Sequence, residues 1–123
     1  MIISQPSILI AEDKIPPKVE LTKAQMIEKV YKYSRQYNKD PERILKIINC
    51  ENRDWNPELQ SGLRYKEGNR WGFPEGTREK SYGLVQIHLP DHPNVTLEQA
   101  TDAEYSIEFI AKNVGKVKWS CDK

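Results

Sequence analysis

The sequence has no run approaching the roughly 20 consecutive apolar residues of a membrane-spanning helix, so no transmembrane segment is expected. It has no excess of charge of either sign: 19 Lys and Arg against 18 Asp and Glu leave +1. Neither nucleic acid nor an anionic membrane is therefore implied as a partner. Histidine is scarce, with two in the chain. His88 and His92 have the spacing of a helical zinc pair, but Pro90 between them breaks the helix that would bring them together. No Glu follows His88, and no metal or cofactor is expected. Strand signals are few, and there is no internal repeat or low-complexity segment. Met1 to Ile10 lacks the basic start, long apolar core and cleavage pattern of a signal peptide. The stump of a trimmed signal or anchor fits it as well as a plain tail does.

What is present suits one mainly α domain of 123 residues. Residues 1 to 20 carry Pro6, Pro16 and Pro17 among charges and read as an extended tail or linker. The domain runs from 21 to 123. Thr22 to Gln25 has the T-x-x-Q form of a capping box, predicting a helix to about Tyr37 with Met26, Ile27, Val30 and Tyr31 on its buried face. Asp40-Pro41 opens a second helix, with the acid as N-cap and proline at the first helical position. Thr96 to Gln99 forms another capping box. Asp102 then caps a helix that buries Ala103, Ile107, Ile110 and Ala111 and ends at Gly115. Between Arg53 and Lys80 there is neither helical nor alternating pattern, and turn signals recur. A loop this long in a small domain is usually functional or disordered. Trp55, Tyr65, Trp71 and Phe73 argue against disorder, and they fit core packing and a sugar-stacking wall equally well.

The second helix carries the candidate catalytic group. Ile44, Ile47 and Ile48 mark one apolar stripe, and Glu51 falls on it, seven, four and three residues later. Burial and the negative end of the helix dipole would both raise its pKa. A general acid working near neutral pH needs that shift. The alternative is a Glu that fringes out to water at a polar helix end.

The chain's two cysteines, Cys50 and Cys121, have no metal spacing. In a reducing compartment they would be unrelated thiols, and in an exported protein they would pair. Cys121 lies two residues from the last residue of the sequence, where a chain normally frays. A staple there makes mechanical sense and favours the disulfide.

Glu51…Asn56-Pro57 followed by Ser81-Tyr82-Gly83-Leu84-Val85-Gln86-Ile87 resembles the lytic transglycosylase domain of the lysozyme-like superfamily. That family has a Glu-Ser-x-Phe-Asn-Pro type motif at a helix end and then a Ser-x-Gly-Leu-Met-Gln-Ile type motif. In this chain Asn52 stands for Ser, Trp55 for Phe, Val85 for Met, and Ser106 for an Asn that many members carry. The resemblance implies a lysozyme-like helical fold in which the long loop forms one wall of a cleft. It implies a secreted, periplasmic or wall-associated enzyme, a monomer acting on peptidoglycan. The glycan would be cut between N-acetylmuramic acid and N-acetylglucosamine. Glu51 would be catalytic, and Ser81, Tyr82, Gly83, Gln86 and Tyr105 would hold substrate. With a single carboxylate, the muramoyl 6-hydroxyl attacks and an anhydro product forms. A hydrolytic lysozyme would want a second carboxylate. Asp54 and Glu58 are near in sequence and read as loop surface charges. A third reading, a wall-binding module without turnover, draws on the lack of the family's Ala-Tyr-Asn motif after Val114. Gln86 has a structural reading too, as a buried amide pinning its loop.

Overall fold

The computed structural model describes residues 20–123, so the expected N-terminal tail lies outside the described residues. The described chain is mainly helical. Helix α1 spans Lys23–Tyr37 and α2 spans Pro41–Glu51. A small antiparallel hairpin pairs β1, Ser81–Tyr82, with β2, Ile87–His88. A 3-10 turn, Leu89–Asp91, leads to the short α3, Leu97–Ala100, and then to α4, Ala103–Asn113. No helix among the described residues is long and apolar enough to cross a membrane.

The helix starts are set locally. Thr22 and Gln25 exchange side-chain and backbone hydrogen bonds in a full capping box, and Thr96 and Gln99 repeat it. Asp40 and Asp102 cap α2 and α4. Helix α1 ends at Asn38, which takes the left-handed conformation that lets its N–H close the last turn.

The buried stripe of α2 is Ile44, Ile47 and Ile48, and α4 buries Ala103, Ile107, Ile110 and Ala111, both as the patterns predict. Ser106 is buried on the same face of α4. On α1 the buried side is turned from the predicted one. Met26 and Val30 are buried, with Tyr33 and Ser34 beside them, while Tyr31 is exposed and donates to Glu42. The cause is the partner. Helix α1 packs on α2 but more extensively on α4, where the Tyr33 hydroxyl reaches Glu104 at 2.5 Å and the Tyr37 hydroxyl reaches Glu108.

Residues 53–80 are less irregular than the sequence suggests. The chain folds back beside β1 as a broken ribbon. Ser61 N–H donates to Ser81 O at 2.9 Å, Glu79 N–H to Leu63 O at 2.8 Å, and Tyr65 N–H to Thr77 O at 2.8 Å. The four aromatics differ in burial. Trp55 and Tyr65 are buried, whereas Trp71 and Phe73 stay partly exposed.

Candidate functional site

Glu51 is the last residue of α2. It lies in the wall of an open pocket of about 520 Å³. Further lining comes from the ribbon and the hairpin region, including Leu63, Trp71, Glu79, Ser81 and Gln86. The C-terminal segment supplies Trp119 and Ser120.

The carboxyl of Glu51 is half-buried. Burial pushes it up from the ordinary glutamate value. Two long hydrogen bonds to Oε2 oppose this, from the Cys121 N–H and the Ser120 hydroxyl, each at 3.3 Å. The negative charge of Glu79 raises it further, and the net direction is upward. Oε1 has no protein partner among the described residues. A helix-end acid is thus held at one oxygen, free at the other, and biased towards its protonated form.

The C-terminal segment is fixed over this helix end from three sides. Cys50 and Cys121 are bridged, with Cα atoms 5.9 Å apart. Arg43 pairs with Asp122 through two hydrogen bonds, of 2.9 and 2.6 Å. The Trp119 indole donates to the Val85 carbonyl at 2.6 Å. Cys50 and Glu51, neighbours in sequence, therefore both contact this one segment.

Around Glu51 the two sequence motifs become one unit. Asn52, 1% exposed, donates to Asn56 O at 2.6 Å and to Gly83 O at 3.1 Å, and it accepts from Asn56 N–H. Trp55 takes a left-handed backbone (φ 54°) in the first motif, and Gln86 does so (φ 52°) in the second. Such conformations cost energy in non-glycine residues and persist only where surrounding contacts enforce them. Here the Gln86 amide donates to Leu59 O at 3.1 Å and Gly83 O at 2.9 Å, pinning the turn while also facing the pocket. Gly83 has φ +87°, and a Cβ there would stand 1.9 Å from the Ala100 carbonyl oxygen, so no larger residue fits.

Of the residues singled out in the sequence, the fold brings Glu51, Ser81 and Gln86 together on one pocket. Tyr82, Gly83 and Tyr105 are not in its lining. Tyr82 pairs with Ile87 in the hairpin, and Gly83 lies buried beneath Ala100. Tyr105 is near the pocket only through Phe109, 6.3 Å away between ring centroids. Asp54 and Glu58 are exposed and away from the pocket.

Among the lining residues that were not singled out in the sequence are Glu79, Asp91, Trp119 and Ser120. Glu79 had one legible signal. It sits two residues before Ser81, the spacing that puts side chains on one face of an extended segment. Asp91 accepts from Trp71 at 2.8 Å, from Arg70 at 3.1 Å and contacts His88 at 3.0 Å. Burial alone would raise its carboxyl, but those hydrogen bonds and positive charges hold it below the usual range. His88 in turn contacts the Tyr65 hydroxyl at 2.8 Å, and His92 packs edge-on against Phe109. Among the described residues no cluster of acids, histidines and cysteines could hold a metal ion.

No family model, curated protein or solved structure matches the chain. The reading of the pocket therefore rests on its own geometry and chemistry.

Proposed function

We propose that the chain cleaves the glycan strands of peptidoglycan between N-acetylmuramic acid and N-acetylglucosamine, with Glu51 as the proton donor. The observation that carries this reading is Glu51 itself: a raised, half-buried carboxyl with one oxygen free, in the wall of an open pocket. A pocket of about 520 Å³ is within the roughly 300–1,000 Å³ of small-molecule sites. Trp71 offers a partly exposed ring of the kind that stacks on a sugar's apolar face, and Ser81 and Gln86 offer polar groups for acetamido and hydroxyl functions.

In this reading Glu51 gives its proton to the glycosidic oxygen as the bond to the anomeric carbon breaks. The ionised Glu51 then serves as base for the group that attacks that carbon. The motif resemblance supports a lysozyme-like arrangement, with the helix-end acid facing a small hairpin. It favours the muramoyl 6-hydroxyl as that group, the lytic transglycosylase outcome. A second reading, hydrolysis, is favoured by Glu79 in the same pocket. The Cys50–Cys121 bridge supports action outside the reducing cytoplasm, at the cell wall.

Mass spectrometry of peptidoglycan digested by the protein and by Glu51→Gln tests the reading. Cleaved strands from the first and intact strands from the second are expected. Intact glycan from both, with binding retained, would make the chain a wall-binding module instead.

A further inference from the structure

The geometry points to Glu79 as the base that activates a water molecule against the anomeric carbon, so that cleavage is a hydrolysis. This rests on the glycan-cleaving reading above and departs from the single-carboxylate chemistry that the motif resemblance implies.

Glu51 and Glu79 line one pocket from separate elements, the end of α2 and the segment running into β1. Glu79 is held firmly. Its N–H donates to Leu63 O at 2.8 Å, and its carbonyl accepts from the Gln60 amide at 3.1 Å. Its Oε1 accepts from the Ser81 hydroxyl at 2.8 Å. Its Oε2 has no protein partner among the described residues. One oxygen is fixed and the other is left to take a proton.

The other carboxylates near by do not have this arrangement. Asp91 lines the pocket, but both its oxygens are committed, one to Trp71 and Arg70 and the other to His88. Asp54 and Glu58 are exposed and do not line it. The negative charge of Glu79 also raises the Glu51 carboxyl. Two carboxyl groups with different surroundings let one pocket supply both an acid and a base.

The step balances without a further reactant. Glu51 delivers its proton to the leaving oxygen. The water oxygen bonds to the anomeric carbon, and one water proton passes to Glu79. That proton returns to Glu51 through solvent, and the product has gained one water.

Digestion in ¹⁸O-water followed by mass spectrometry reads the outcome. The wild-type protein should give reducing ends carrying one ¹⁸O. Glu79→Gln should lose cleavage by about 10²- to 10⁴-fold, the usual contribution of a general base, with melting temperature and glycan binding retained. Glu79→Ala with added azide should regain turnover and yield a glycosyl azide, because azide attacks without needing a base. Anhydro ends from the wild-type protein would overturn the inference and leave the role of Glu51 standing. So would a Glu79→Gln variant that cleaves at the wild-type rate. The wild-type product ends decide the matter even where a variant fails to fold. Absence of cleavage by the wild-type protein would remove the glycan-cleaving reading, and this inference with it.

Discussion

Asn52 donates a hydrogen bond to the carbonyl of Gly83 at 3.1 Å, across 31 residues of sequence. The same buried amide spans the turn to Asn56, donating to its carbonyl and accepting from its N–H. The end of α2 and the turn that carries Gln86 are therefore registered against each other by one side chain. Asn52→Ala strands the Asn56 N–H and unties the two turns. A loss of about 2–3 kcal/mol in urea unfolding is expected, the range for breaking a buried hydrogen-bond network. A loss below about 0.5 kcal/mol, the scale of an ordinary surface substitution, would mean the turns hold themselves.

Gly83→Ala should be worse. The added methyl meets the Ala100 carbonyl at 1.9 Å, which is backbone and cannot swing away, and the positive φ adds strain. An expected cost of about 3 kcal/mol or more places it among severe substitutions. Soluble expression with a near-normal melting temperature would contradict the packing of the hairpin turn against α3.

The raised carboxyl of Glu51 sets a pH dependence whose sign is fixed. The folded protein holds this proton at pH values where the unfolded chain has already lost it. The group's contribution to stability is therefore fully present below the unfolded value, near 4.5, and is lost as pH climbs through the folded value. Glu51→Gln removes that loss. Its melting temperature should equal or exceed the wild-type value at neutral pH, with the gap closing towards pH 4. Melting curves from pH 4 to 8 check this. A variant much less stable at neutral pH would make Glu51 a structural carboxylate.

Ser120→Ala deletes a hydrogen bond that lowers the Glu51 carboxyl. The acid should then hold its proton to higher pH, and the alkaline limb of the activity profile should move upwards. Ser120 is exposed, so the melting temperature should hardly change. The pH profile of glycan turnover reads the limb, and a shift to lower pH would contradict the assignment of that limb to Glu51.

The parts of the molecule that were legible in sequence are those decided within a few residues. The Thr22–Gln25 and Thr96–Gln99 boxes, the Asp40-Pro41 start and the Ile44, Ile47, Ile48 stripe depend on local hydrogen bonds and helical period. The buried side of α1 was not legible, because α4 decides it. Tyr33 counts as buried only once Glu104 receives its hydroxyl. In the site, Glu51 was visible as an acid on an apolar stripe. Asn52 was visible only as a departure from a motif, although its amide joins the two motifs. Glu79 was signalled only by its spacing to Ser81, because its neighbours, from Arg53 to Lys80, show no alternation. The pairing that extends this segment comes from Leu63 and Ser61, more than fifteen residues away, and no local pattern encodes it.

The Cys50–Cys121 bridge joins positions 71 apart in sequence and closes a covalent ring that contains the ribbon, the hairpin and α4. A protease that cuts one peptide bond anywhere inside that ring does not release a fragment. The two pieces stay attached through sulfur, and helix packing keeps them in place. The exposed turns around Gly68 and Gly76 are where such a cut would fall. A nicked molecule would run as a single species on a non-reducing gel and part into two only when thiol is added. Damage in a protease-rich surrounding would thus leave the chain assembled, with Glu51 still attached to the segment that covers it.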